Sequence, residues 1–540
     1  MKTDLSISRR LFLDFLRSLP FTQVNVQAAL AVNAPEPHQA LELGPATAFS
    51  FEQLKREAAR LARQTYVPRP NPAARLVHQI DFDQHQKIYQ PVQQGLYGSP
   101  DGDGAVSLLH LARLFPHPVS IHVLENGLSR ELKYRKRYFR YPRDSPAARM
   151  PEGVGFAGFR LHRRGDPIGL ETGRAPDWMS FLGASYFRSS GDLDQYGISA
   201  RGLAIDTAVP GRTEEFPAFT KFWIEKRPTD FIVFALLESE SITGAYTFEI
   251  AKAPNVVTTV RARLFPRRND IGCLGVAPLT SMYWYSETNR WVGHDWRPEV
   301  HDSDGLLMHN GAGEWLWRPL NNPPRLSVST FLDEKPRGFG LLQRDRSLSS
   351  YVDPVAFERR PNLWVEPLDV WPRGEVHLVE IPTNTEYADN IVVYFKPAEA
   401  PQVDRPIDIS YRLHWSGDRI LPTRLARVIA TRMTKPWANT LRVAESVPVT
   451  DARPYSRKVM IEFKGDKLGE IGLENLIPVV DGVIAGHDVE LVRAPDRDQT
   501  HLRLIFDVSG HEDDPTDIRA FLLGPDGPAT STVLAQIWLR

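Results

Sequence analysis

Cysteine is almost missing from this 540-residue chain, with Cys273 the single one. No intrachain disulfide can form, and no cysteine-based zinc site is available. A lone thiol of this kind reads as a small buried hydrophobe rather than a reactive group. Export stays open, because a large domain holds together without staples. Long hydrophobic runs are missing too, and none approaches the ~20 residues of a membrane span. Neither charge is in surplus: 65 Lys+Arg stand against 66 Asp+Glu. That balance gives no electrostatic case for a nucleic-acid or anionic-membrane partner. Cofactor and nucleophile signatures are also lacking. There is no P-loop lysine motif, no G-x-G-x-x-G opening a helix and no H-E-x-x-H. Gly183-Ala184-Ser185-Tyr186 is not a nucleophile elbow, so serine hydrolase chemistry has no support. No fixed-period repeat or low-complexity tract is present.

What is present reads as a mainly β protein of two or more domains, since one ordinary core does not serve a chain of this length. One helix is marked clearly. Ser50 caps it, Gln53 follows three residues later, and Phe49 and Leu54 fit a hydrophobic staple. Leu54, Ala58, Leu61 and Ala62 form its apolar stripe, which ends before Pro68-Arg69-Pro70. Beyond it, short runs rich in β-branched and aromatic residues recur between Gly, Pro and Asn, as in Pro118–Val123, Asp230–Leu237 and Ala245–Ile250. Forty-four prolines agree with many loops and short strands. Residues 398–408 have linker composition. The remainder, 409–540, alternates with period two: Leu502, Leu504, Phe506 and Val508 face one side, and Val459, Ile461 and Phe463 do the same. This predicts a small β-sandwich behind a larger, mainly β part over residues 35–397. At the N-terminus, Ser8-Arg9-Arg10-Leu11-Phe12-Leu13 looks like a twin-arginine export signal, and Ala29-Leu30-Ala31 has the form of a cleavage site. Asp14, Arg17 and Pro20 interrupt the stretch between them. Residues 1–34 are read as an atypical export leader.

The chemistry concentrates between Trp284 and Trp371, which hold seven of the twelve tryptophans. Asp295, Asp302, Asp304, Glu314, Asp345, Asp353, Glu358 and Glu366 share that stretch. Flat aromatic faces and hydroxyl-binding carboxylates are what sugar recognition requires. The competing reading is that Trp315 and Trp317 alternate along a strand and fill a core. His301-Asp302-Ser303-Asp304-Gly305 is a turn that presents two carboxylates. Its register fails the calcium-loop pattern, because Leu306 and Gly313 stand at the fifth and twelfth positions, so no metal is expected. A second acidic turn, Glu386-Tyr387-Ala388-Asp389-Asn390, precedes a strand over Ile391–Phe395 and puts Asp389 at its mouth. Asp389 and Asn390 bonding their own backbone is the alternative there.

Longer strings carry a resemblance. Gly155–Arg160, Phe181–Arg188, Tyr196–Ala204, Glu214–Pro217 and Ala277–Met282 resemble the periplasmic glucan biosynthesis proteins G and D. The likeness is strongest at Arg297–Gly305, Gly313–Leu320, Pro336–Arg346 and Trp364–Pro367, and it covers roughly residues 45–540. The leader looks closer to the D branch. The resemblance implies a large β-sandwich, a linker and an immunoglobulin-like C-terminal sandwich, in a periplasmic protein without cofactor. It further implies an inverting hydrolase of linear β-1,2-glucan, with Asp389 as general acid and Asp302 as general base through water. Asp304 is the alternative base. The residues expected to contact substrate are Glu314, Trp315, Trp317, Arg318, Asp345, Arg346, Tyr351, Trp364 and Glu386. A non-catalytic glucan-binding factor using the same cleft is the competing expectation, with the C-terminal domain docking onto other biosynthetic proteins. A homodimer follows by resemblance only. The chain departs from the family pattern at Tyr387-Ala388 and at Trp371-Pro372, both near the expected acid.

Overall fold

The computed structural model describes residues 40–99, 102–163, 176–252, 255–417, 424–434, 456–482, 489–496, 498–510 and 514–539. The expected leader over residues 1–34 lies outside them. The capped helix forms over Phe51–Ala62, where the Ser50 side chain accepts from the Gln53 amide at 3.3 Å. Its stripe side chains Leu54 and Ala58 pack on Trp223, Leu236 and Ala245.

The chain is mainly β. One large sheet grows from long antiparallel neighbours: Ala218–Lys226, Phe231–Glu238, Ile242–Lys252 and Val256–Pro266. Ile407–Ser416, Asn362–Pro367, Gly338–Leu342, Gly305–His309 and Trp315–Pro319 extend it in that order. The second sheet includes Gly374–Glu380, Ile391–Pro397, Leu274–Ser281, Ser199–Arg201 and Tyr186–Ser189 as successive neighbours. Side chains from both sheets, such as Val233, Phe248 and Leu341 from one and Phe181, Leu279 and Val393 from the other, share a single core. Period-two alternation in facing sheets produces this sandwich.

The expected linker is misplaced. Residues 398–406 form a surface loop inside the large domain, because the strand that follows them is central. Ile407–Ser416 pairs with Val256–Leu264 on one side and with Asn362–Pro367 on the other. Its Tyr411, Leu413 and Trp415 are fully buried, which a linker-flanking segment would not be. The C-terminal pairing begins at Ala426, whose amide donates to the Ala529 carbonyl. From there a four-stranded sheet built on Arg427–Thr434, Ser456–Lys464 and His501–Ser509 shares a core with Thr516–Gly524 and Thr532–Ile537. Val459, Ile461, Phe463, Leu502, Leu504, Phe506 and Val508 all point into it, as their alternation predicts.

That second core reaches across to the large domain. Leu307, Trp315, Trp317, Leu342 and Trp364 belong to it, and Trp317 pairs in parallel with Val533. The indoles fit because glycines face them. A Cβ on Gly305 would lie 2.0 Å from the Trp317 ring, and one on Gly338 would lie 2.3 Å from Trp364. Arg344 covers the remaining Trp317 face, its guanidinium carbon 3.1 Å from the ring centroid. Overpacking a filled core of this kind costs about 1–3 kcal/mol. Gly305→Ala should therefore lower the unfolding free energy by that amount, read by chemical denaturation. No shift would mean that Trp317 does not rest on this glycine.

Candidate functional site

Two acidic turns meet at one short stretch of backbone, Met282-Tyr283. The Asp302 amide donates to the Met282 carbonyl at 2.8 Å. The Tyr283 amide donates to Asn390 Oδ1 at 2.8 Å, and Asn390 Nδ2 donates to the Ile381 carbonyl at 2.9 Å. Asn390 thus ties down the turn that carries Asp389. Ser281 pairs with Ile391 across the adjoining strands, which fixes the register of that turn.

Arginine connects the acids. Arg360 forms an ion pair with Asp302, and its charge also acts on Asp389 and Glu386. The guanidinium of Arg360 rests over the Phe357 ring at 4.1 Å. Arg188, on a strand of the same sheet, adds a second charge toward Asp389. Asp302 and Asp389 are both buried. Burial pushes the Asp389 carboxyl up to about 7, against the opposing pull of Arg188 and Arg360. Beside them, Arg297 gathers Asp295 at 2.6 Å, Asp353 at 2.6 Å and Glu386 at 2.8 Å. Trp296 is 67% exposed and Tyr387 40% exposed, and each is next in sequence to a member of the Arg297–Glu386 ion pair.

The other side of the His301–Gly305 turn holds a different group. Burial first, and then neighbouring acids, hold Glu287, Glu299, Asp304 and Asp345 above the ordinary carboxyl range. His301 lies among them, with Nδ1 2.8 Å from Gln343 Oε1 and Nε2 2.9 Å from Glu299 Oε2. Gln343 Nε2 donates to the carbonyls of His301 and Phe357, so its oxygen faces the ring and Nδ1 is the donor. Glu299, His301 and Asp345 keep their ligand atoms within 4.8 Å of one another, a spacing that could hold a metal ion. In the structure the His301–Glu299 hydrogen bond spans part of that space.

These raised carboxyls fix a pH dependence. Each keeps its proton in the fold at a pH where the unfolded chain, with carboxyls near 4, has lost it. The folded state then binds more protons, so stability falls as pH rises from about 4 through about 7 for Asp389. The denaturation midpoint should be higher at about pH 5.5 than at about pH 8.5. The reverse order would mean that these groups are ionised in the fold.

The remaining expected contacts are placed elsewhere. Trp315, Trp317 and Trp364 are buried in the core shared with the C-terminal domain and have no face open to a ligand. Glu314 accepts from Thr532 Oγ1 at 2.7 Å and pairs with Arg519, both on the C-terminal domain. Arg318, 2% exposed, bonds Glu380 at 3.0 Å and Gln536 at 3.3 Å. These five residues join domains: the three indoles pack in the shared core, while Glu314 and Arg318 bond side chains of the C-terminal domain. Tyr351 packs with Phe357 and His301. Arg346 binds the carbonyls of Glu358, at 3.0 Å, and of Arg360. Both therefore support the Arg360 segment from behind. Glu386 alone of the nine lies beside the Asp389 turn. Sequence reasoning passed over Arg188, Arg297 and Arg360. Their role appears only when distant strands meet, and nothing local marks them.

Residues 49–537 match the family described as periplasmic glucan biosynthesis protein, MdoG. The chain is 42% identical to glucans biosynthesis protein D 2 of Ralstonia nicotianae, over 92% of each chain. It is 39% identical to the probable glucans biosynthesis protein D of Shewanella oneidensis, covering 90% of this chain and 88% of that one. It is 38% identical to glucans biosynthesis protein D of Xylella fastidiosa, covering 92% and 91%.

Proposed function

Since this chain belongs to the periplasmic glucan biosynthesis family, we propose that it shortens linear β-1,2-glucan in the periplasm by inverting hydrolysis. The observation that carries this reading is the convergence of Asp302 and Asp389 on Arg360, with Asp389 kept protonated to about neutrality. An inverting hydrolase needs one carboxyl that retains a proton and one that stays ionised. Asp389 gives its proton to the glycosidic oxygen as the bond from that oxygen to the anomeric carbon breaks. A water attacks the same carbon from the opposite face, and its proton passes to Asp302, directly or along further water. Inversion follows from the opposite-side attack.

Asp302 is preferred over Asp304 as the base. Asp304 is pushed up to about 8 by burial and by Asp345, so at neutral pH it holds the proton that a base must accept. Trp296 and Tyr387 offer exposed faces for glucose rings. The reading is tested by incubating purified protein with linear β-1,2-glucan and following new reducing ends and their initial anomeric form. Chain shortening with inverted product supports it. A binding-only role is favoured by one feature, the engagement of Asp302 by Arg360 and of Glu386 by Arg297 in ion pairs. Binding of the polymer without any new reducing ends would establish that role instead.

A further inference from the structure

A cavity of about 490 Å3 opens between the two domains. That volume falls within the range of small-ligand sites, about 300–1,000 Å3. Two indoles, Trp291 and Trp538, stand in its walls with four carboxamides, Asn289, Asn321, Asn322 and Asn384. Trp538 and Met433 come from the C-terminal domain, the rest from the large one.

The walls are tied together by hydrogen bonds that no ligand is needed to form. Asn322 Nδ2 donates to the carbonyls of Trp284, at 3.1 Å, and Thr383, at 2.7 Å, while its Oδ1 accepts from the Thr383 amide at 2.9 Å. Asn321 Nδ2 donates to the Gln536 carbonyl at 2.9 Å, which holds the C-terminal strand against the rim. Loop, large domain and C-terminal domain are thereby fixed around one space. Trp291 remains 47% exposed, with the Arg457 guanidinium 5.8 Å from its ring centroid on one side.

The chemistry of the lining selects a ligand class. Among the described residues that line the cavity none is acidic or basic. The nearest charges, the guanidiniums of Arg457 and Arg325, lie over the Trp291 and Trp538 rings at 5.8 Å and 5.7 Å rather than in the lining itself. Flat apolar faces beside the exposed Asn384 amide suit a neutral polyhydroxylated ring, whose C–H face stacks on indole while its hydroxyls bond that amide. Position narrows this further. Pro382, Thr383 and Asn384 line the cavity, and the same loop continues to Glu386, held by Arg297, and to Asp389. One short loop thus joins the cavity wall to the Asp389 turn.

We propose that the interdomain cavity is an outer subsite for β-1,2-linked glucose units, engaged by long chains whose scissile bond lies at the Asp302–Asp389 pair. This rests on the reading of the protein as one that acts on β-1,2-glucan. It also gives the C-terminal domain a part in gripping the polymer, as one wall of the subsite.

The test uses the full chain with long linear β-1,2-glucan and with its short oligosaccharides. Trp291→Ala removes an exposed ring, and Asn384→Ala removes an exposed amide; neither disturbs the core. Loss of one stacking face should weaken binding of the long chain by about three- to tenfold in Kd. Binding and turnover of short oligosaccharides should remain at the wild-type level. If both variants bind the long chain as tightly as wild type, the subsite is overturned while the proposed function stands. Equal losses for long and short chains would also overturn it, because the effect would then not belong to an outer site. If wild type binds no β-1,2-glucan at all, the proposed function fails, and the subsite with it.

Discussion

Asp389→Asn should leave glucan bound but slow its shortening by about 10²- to 10⁴-fold, the range that a positioned general acid contributes. The amide has the shape of the carboxyl and no acidic proton to give. Below about pH 7 the Asp389 carboxyl is itself uncharged, so the substitution removes no charge and binding should change far less than kcat. Two further readouts separate loss of the acid from loss of the fold. Wild-type activity should decline as pH rises through about 7, where Asp389 loses the proton that burial has retained. The same decline should be absent from whatever residual rate the variant keeps. Asp302→Asn should be as damaging, whereas Asp304→Asn should spare more of the rate, since Asp304 already holds a proton at neutral pH. If Asp389→Asn shortens the polymer at the wild-type rate, Asp389 is not the proton donor. If Asp304→Asn is the more damaging of the two base variants, the assignment of the base moves two residues along the turn.

Much of the fold could be read locally. The helix over Phe51–Ala62 was visible because Ser50 and Gln53 mark its start, and those marks depend on neighbours in sequence. The strands His501–Ser509 and Ser456–Lys464 were visible because strict alternation has one meaning when one face is buried. The boundary was misread because Ala398–Pro406 has the composition of a linker and of a surface loop alike. Alternation of Ile407, Ile409, Tyr411, Leu413 and Trp415 directly after it was the signal for a central strand. The tryptophans were harder. Trp317 next to acids resembles a sugar platform, and only its cross-strand position over Gly305 shows it to be packing. The two acidic turns stood out as local motifs, and the family strings implied which carboxyl plays which role. Arg360, which joins them, lies 58 positions from Asp302 and 29 from Asp389 by number, too far for any local pattern to connect them.

Arg318→Met should destabilise the protein by about 3–5 kcal/mol, because it leaves a buried carboxylate without its cation. Glu380 is fully buried, and Arg318 is its ion-pair partner among the described residues. The Asn321 amide, 2.6 Å from Glu380, would remain as a hydrogen bond but brings no full charge. The same guanidinium bonds Gln536 on Thr532–Ile537, and the parallel pairing there is short, Leu316 with Thr532 and Trp317 with Val533. Loss of Arg318 should therefore appear first as loosening of the C-terminal domain, read as an earlier unfolding step in denaturant and as faster proteolysis of that domain. The double variant Arg318→Met/Glu380→Leu decides what the pair contributes. Burying two charges costs as much solvation as their attraction returns, so replacing both by apolar groups should recover most of the loss. If the double variant is as unstable as the single one, the pair stabilises the interface by more than charge matching. If Arg318→Met alone is harmless, Glu380 is protonated in the fold, the direction in which burial already pushes it.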